Sequence, residues 1–185
     1  MNRLVHVLLL AVVGWVLFVP PVAAQKAPIP LNLAVIDIEA IRRNALVVKD
    51  VRDQVAKYRN AFQTDIKKEE EALRTANQEL ARQRTILSPD AFAQKRRQFE
   101  KRLADVQRLV QKRKRDLSTV RTEAMRKVQR VLAKIVTTLA KERKINLVVN
   151  RDAVVYRTDD LDFTKVVLER LDKKMPKLKV SKPGK

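Results

Sequence analysis

The sequence has no cysteine, one histidine, one tryptophan and only two glycines among its 185 residues. His6, Gly14 and Trp15 all fall within the first 24 residues. Once that segment is removed, no cysteine or histidine remains to build a nucleophile–base pair or the usual zinc ligand set. No disulfide can form, and no glycine-rich loop is available to bind phosphate. The sequence therefore predicts a protein that is not an enzyme, without catalytic residues, a metal site or a cofactor.

Residues 1–24 have the pattern of a secretory signal peptide. An early arginine precedes an apolar stretch from Leu4 to Val19, and the segment ends on small residues at Ala23 and Ala24. The apolar stretch is shorter than the roughly 20 residues that span a bilayer, and Pro20-Pro21 interrupts it. We therefore predict an exported chain, cleaved near Ala24, rather than one with a membrane anchor.

The chain is strongly basic, with 41 Lys and Arg against 21 Asp and Glu and a net charge of +20. The excess is uneven: residues 46–86 carry 9 basic and 7 acidic side chains, whereas residues 87–143 carry 17 and 6. Such a charge predicts anionic partners. For an exported chain these are acidic unfolded proteins, anionic lipid and lipopolysaccharide. Nucleic acid is not an expected partner, because export takes the chain out of the cytosol, where nucleic acid is found. Few aromatic residues are available to stack on bases.

Two long stretches carry apolar residues at spacings of three, four and seven, the pattern of a coiled coil. The first stretch runs over 46–87 and the second over 92–139, with Ser88-Pro89-Asp90 between them. Ser88 can cap the second helix and Pro89 can occupy its first turn. Residues 46–143 are therefore predicted to form an antiparallel helical hairpin, or arm.

Short β-branched segments flank this hairpin. Residues 33–38 predict one strand, and residues 145–149 and 153–156 predict a β-hairpin that must meet it. A final amphipathic helix is predicted after residue 162. Three short strands do not form a stable sheet within one chain. We therefore predict that residues 25–45 and 144–175 form an oligomerisation body shared between copies of the chain. Residues 176–185, rich in Lys and Pro, predict a disordered basic tail.

The ends of this pattern resemble the Skp (OmpH) family of periplasmic chaperones. The opening strand Leu33-Ala34-Val35-Ile36-Asp37-Ile38 is similar to that of the family. The ending Ile145-Asn146-Leu147-Val148-Val149, then Val154-Val155-Tyr156 and Asp162-Phe163-Thr164, resembles the family's "nLVV-x-VVY … DIT" ending. The resemblance covers nearly the whole exported chain, although Phe163 stands where the family usually has Ile or Leu and the tail is unusually basic.

The resemblance implies a jellyfish-shaped homotrimer in which the coiled-coil hairpin is inserted between strands of an intersubunit β-barrel. It also implies an ATP-independent periplasmic holding chaperone that binds unfolded outer-membrane proteins between cationic arms. The alternative is an envelope coiled-coil scaffold that binds anionic membrane or lipopolysaccharide. A histone-like nucleic-acid binder is a further alternative, which the signal peptide argues against.

Candidate binding residues follow from the charge and the apolar pattern. The densest cationic clusters, predicted to bind clients or anions, are Lys95, Arg96, Arg97, Lys101, Arg102, Arg108, Lys112, Arg113, Lys114 and Arg115. Ile86, Leu87 and Phe92 near the turn are candidate apolar client contacts, with the alternative that they pack against each other there. The predicted oligomer interface comprises Val35, Ile36, Ile38, Leu147, Val148, Val149, Val154, Val155 and Tyr156. Tyr58 and Tyr156 lie in apolar patterns and are predicted to be core residues rather than catalytic ones.

Overall fold

A computed structural model describes residues 30–184, and the predicted signal peptide lies outside them. The described part is mainly helical with a small strand portion, as the sequence predicts. Its elements in chain order are β1 (Leu33–Ile36), α1 (Ile38–Asn44), α2 (Leu46–Gln83), α3 (Pro89–Glu142), β2 (Leu147–Asn150), two 3-10 turns (Arg151–Ala153 and Asp159–Leu161) and α4 (Thr164–Lys174).

The two strands lie on either side of the long helices in sequence and pair in parallel. Leu33 is opposite Leu147, and the register continues to Ile36 opposite Asn150. Just before the strands, the backbone N–H of Asn32 donates to the side chain of Asn146 at 2.8 Å. The prediction that the first strand meets the strand after the hairpin is thereby confirmed.

The predicted β-hairpin over residues 145–156 is wrong. The chain leaves β2 through the 3-10 turn Arg151–Ala153, and residues 154–156 form no strand. Val155 and Tyr156 are 106% and 83% exposed, so Tyr156 is not a core residue. Downstream, the Arg157 side chain pairs with Asp159 and Asp162. A β-branched sequence becomes a strand only when a neighbouring strand satisfies its backbone, and the turn after β2 directs this segment away from one.

Helices α2 and α3 form the predicted antiparallel pair. Ser88 caps α3, since its Oγ accepts from the backbone N–H of Ala91 at 3.3 Å, and Pro89 is the first helical residue. At 38 and 54 residues, the helices span about 57 Å and 81 Å at roughly 1.5 Å per residue. The longer α3 therefore continues past the start of α2 and reaches α4.

The core is concentrated at the end of the hairpin that joins the strands. There Ile36, Ile41, Val47, Leu139 and Leu171 pack together, each at most 2% exposed. Two hydrogen bonds between residues distant in the sequence hold α4 to the other elements. The Asp172 carboxylate accepts from the N–H of Leu46 at 2.8 Å. The Thr164 hydroxyl accepts from the N–H of Asp37 at 2.9 Å. This cluster fixes the ends of both long helices.

Farther along the hairpin the seam, which is the row of apolar residues between α2 and α3, carries fewer buried side chains. A second cluster contains Val51, Val55, Val120 and Ala124, and beyond it the buried residues are Phe62, Leu73 and Val106. Hydrophobic stabilisation scales with the apolar area removed from water. The half of the hairpin near the turn is therefore the less stable half.

The predicted disorder of the C-terminal tail is wrong for residues 176–184. The tail lies along α2 and α3, with Val180 only 3% exposed and part of the second cluster. The N–H of Leu178 donates to Asp50 at 3.0 Å, and the N–H of Val180 donates to Gln54 at 3.0 Å. Composition alone suggests disorder, because Lys and Pro are frequent in the tail and the apolar residues that pack on the helices are few.

Candidate functional site

The ten cations predicted to bind clients all lie on α3, and nine of them are exposed. Arg113 is the exception: it is half-buried, and its guanidinium lies 4.5 Å from the centre of the Phe62 ring. From Lys95 to Arg115 the helix rises about 30 Å. The clusters therefore form a long positive stretch rather than one compact site.

Five of these cations are neutralised or engaged within the chain. Arg102 crosses from α3 to Glu69 on α2 at 3.2 Å. Arg96 pairs with Glu100 at 3.5 Å, Lys112 pairs with Asp116 at 2.9 Å, Arg108 pairs with Asp105, and Arg113 contacts Phe62.

The other five have no carboxylate within ion-pair distance in residues 30–184, and they are Lys95, Arg97, Lys101, Lys114 and Arg115. Charges without a partner in their own chain attract anions most strongly.

The apolar residues near the turn differ in exposure. Ile86 is 78% exposed, whereas Leu87 and Phe92 are half-buried. Ile86 is therefore the most exposed of the three candidate client contacts.

The predicted oligomer-interface residues also divide into two groups. Val35 and Ile36 are 4% and 2% exposed within one chain. Their side chains already pack in the chain's own core, and their contact with a second copy stays a prediction. Ile38, Val148, Val149 and Val154 are half-buried, and the exposed members are Leu147, Val155 and Tyr156.

The structure adds a site between α2 and α3 near the second cluster, of which the sequence predicted only Arg113 and Lys114. Two adjoining cavities of about 390 and 430 Å³ share Val55, Arg59 and Arg121 in their walls. Arg52 lines the first cavity, and Phe62 lies in the floor of the second. We call this surface the arginine groove. Arg52 and Arg59 are seven residues apart beside the apolar seam, as are Lys114 and Arg121, and this heptad spacing is the signal that could have revealed it.

Two carboxylates anchor the segments around the strands. Desolvation would raise the pKa of Asp162, but hydrogen bonds from Thr164 and the nearby Arg157 hold that pKa below its usual value. A hydrogen bond from Arg170 lowers the pKa of Glu142, and the pair joins α4 to the end of α3 at 2.6 Å. Both carboxylates are ionised at neutral pH and hold α4 in place.

Within residues 30–184, no group of three or more His, Asp and Glu side chains is arranged to hold a metal ion. In the same part of the chain, no helix has the length and apolar character needed to cross a bilayer. Among the described residues, the long positive stretch of α3 and the arginine groove are the candidate binding surfaces.

Comparison with known proteins gives a family and a fold. The family model for outer membrane protein (OmpH-like) matches residues 32–171. The fold is similar to the crystal structure of a candidate outer membrane chaperone (OmpH-like) from Caulobacter crescentus CB15. That match has a TM-score of 0.77 and 19% identity, and it covers 86% of this chain and 94% of the other. No curated protein matches at a significant level.

Proposed function

Because this chain belongs to the OmpH-like family of outer membrane proteins, for which a chaperone role is supported, we propose that it is an ATP-independent holding chaperone. Its clients are unfolded outer-membrane proteins, which it keeps from aggregating by holding them between cationic helical arms. The observation that carries this proposal is the set of five unpaired cations along α3.

Unpaired cations suit transient capture of acidic chains. They accelerate encounter by long-range attraction, and exposed contacts of this kind are individually weak. A holding chaperone needs both properties, because it must bind many sequences and release them without an energy source. The exposed Ile86 near the turn supplies an apolar contact that tolerates different client sequences.

We further propose a homotrimer with a shared β-structure. Strand β1 is flanked by β2 on one side and by a bridge from Val35 to Asp162 on the other, so β2 is left at the edge of the sheet. Open strand edges pair readily with further strands. Leu147 in β2, and Val155 and Tyr156 after the turn that follows it, are exposed and would become buried if a second copy packed against them.

The proposed compartment is the periplasm. The signal-peptide pattern of residues 1–24 supports export and cleavage near Ala24. Unfolded outer-membrane proteins cross the same compartment.

Light scattering of the mature protein mixed with a refolding outer-membrane barrel protein, without nucleotide, tests the proposal. We expect suppressed aggregation at low salt and weaker suppression at about 1 M salt, where the Debye length falls to about 3 Å. Undiminished aggregation at low salt would contradict the chaperone function. The mass in solution, measured alongside, tests the trimer.

A matched pair of variants separates the unpaired cations from the general charge. Lys95→Gln, Arg97→Gln and Lys101→Gln together remove three unpaired cations, and a control removes three paired ones on the same helix, namely Arg96→Gln, Arg102→Gln and Arg108→Gln. Both variants lose three positive charges. We expect the first to suppress aggregation less well than the second, and equal losses would show that only net charge matters.

The same cations also favour a second candidate function, that of an envelope scaffold. Such a scaffold would bind anionic membrane or lipopolysaccharide. Each phosphate there could take the place of a client carboxylate. Binding to anionic vesicles without binding to unfolded protein would favour the scaffold.

A further inference from the structure

The tail shows how the helical hairpin binds an extended segment. Gln54 contacts two backbone groups of the tail: its Nε2 donates to the Leu178 carbonyl at 2.9 Å, and its Oε1 accepts from the Val180 N–H at 3.0 Å. Asp50 accepts from the Leu178 N–H. The side chains of Leu178 and Val180, two residues apart, pack on the seam, while Lys179 between them is exposed. Recognition thus uses the backbone and alternate aliphatic side chains.

The arginine groove lies on the other side of the same seam. On α2, Asp50 and Gln54 are about one turn apart and face the tail. Successive residues of a helix are rotated by about 100° around its axis, so Arg52 and Arg59 lie on a different side of α2. Val55 contributes both to the cluster that contains Val180 and to the wall of the groove. Both sides therefore offer an apolar floor between the same two helices, and the tail covers one of them.

The two sides differ in charge. On α3, Asp116, Glu123 and Lys112 line the space beside the basic tail, and Lys112 pairs with Asp116. The arginine groove has Arg52, Arg59 and Arg121 in its walls, and its only acidic lining residue is a glutamate already paired with Arg42. These three of the groove's arginines are exposed and have no carboxylate within ion-pair distance in the described part of the chain.

We propose that the arginine groove binds an extended segment of an unfolded protein in which aliphatic residues alternate with carboxylates. This ligand is the tail's own pattern with its charge reversed. The inference rests on the proposed chaperone function, and it names the site and the class of segment bound. Strands of outer-membrane barrels alternate apolar and polar residues, so unfolded barrel proteins contain segments of this kind.

Fluorescence anisotropy with labelled peptides tests the groove on the full mature chain. The probe is Glu-Leu-Glu-Val-Ser-Glu, which is residues 177–182 with each lysine replaced by glutamate. One control peptide keeps the lysines, and another has the probe's composition with leucine and valine adjacent. We expect the probe to bind at least about tenfold more tightly than either control, because only the probe matches both the charge and the alternation.

Variants then locate the binding. Arg52→Gln, Arg59→Gln and Arg121→Gln together should weaken probe binding at least about tenfold, whereas removing the unpaired cations Lys95, Arg97 and Lys101 in the same way should weaken it less than about threefold. The groove arginines are exposed, so the folded state should survive, as thermal unfolding will check. Arg59→Glu alone provides a second test, because Arg59 borders both cavities.

Three results would overturn the proposal. Equal weakening by both triple variants would attribute binding to the general positive charge. A change in solution mass in the groove variant would assign the groove to a contact between copies of this chain. If the groove variant loses binding to anionic vesicles but keeps probe binding, the groove would be assigned to lipid. Failure of the aggregation assay with intact probe binding would instead contradict the chaperone function and leave the groove as a peptide site.

Discussion

Substitution of Val180 by aspartate should release the tail from the helical hairpin. The Val180 side chain is 3% exposed and packs in the second cluster. Burial of a valine is worth about 1.5–3 kcal/mol, and a carboxylate placed there would also have to lose its hydration. The tail can avoid this penalty by detaching, so the loss is limited to the free energy of tail docking. We expect docking to weaken by about 2 kcal/mol, which is about thirtyfold in the population of the detached tail.

Limited proteolysis and hydrogen exchange measure this detachment. Trypsin cleaves at Lys177 and Lys179 only when the tail leaves the helices, so the cleavage rate follows the detached population when reattachment is fast. The N–H groups of Leu178 and Val180 donate to side chains of α2 and should exchange slowly in the unmodified chain. In the aspartate variant both should exchange faster, while amides in the centre of α3 should change little.

The matched control is Ser181→Asp. Ser181 is exposed beside Val180, so this variant adds the same charge at the adjacent position without placing it in the seam. We expect its cleavage to stay within about twofold of the unmodified chain, because surface substitutions usually have small effects. Equal cleavage of the two variants, or tail amides that already exchange freely in the unmodified chain, would refute the docked tail.

The remaining predictions concern stability. Leu139→Ala should cost about 2–5 kcal/mol in thermal or urea unfolding, since Leu139 is 2% exposed, whereas Leu103→Ala at 38% exposure should cost less than about 1 kcal/mol. Asp162→Asn should cost about 1–2 kcal/mol and increase hydrogen exchange at the start of α4, because it weakens a charged hydrogen bond to that helix. Because Arg170 lowers the pKa of Glu142 in the folded state, the pair should stabilise the protein above the usual carboxyl pKa and lose this effect as the pH falls through the lowered value. Urea unfolding of Glu142→Gln across this range should show a smaller decline than the unmodified chain.

The helical hairpin could be predicted because its determinants are local and repeated. The apolar period of three and four residues is carried by many positions along both helices, so single exceptions do not change the result. Ser88 and Pro89 mark the start of α3 by a capping hydrogen bond within four residues. The cationic excess on the returning helix is likewise visible in composition alone.

The failed predictions concern contacts between residues distant in the chain. The sequence 153–156 has the residue types of a strand but no partner strand, and the exposed Tyr156 is the result. The tail has the composition of a disordered segment, yet side chains more than 120 positions earlier, Asp50 and Gln54, satisfy its backbone. In both places the outcome depends on which backbone groups find a partner.

Local sequence is sufficient for the periodic elements, the position of the turn between the long helices and the sign of the charge, because each follows from residue types within a few turns of helix. Which strands pair, which of the ten cations remain unpaired, and which side of the seam the tail covers depend on contacts formed only in the folded chain. Ion pairs such as Arg102 with Glu69 and the walls of the arginine groove join separate helices. Only the packing of α2 against α3 brings those side chains together, so the available charge is a property of the folded chain.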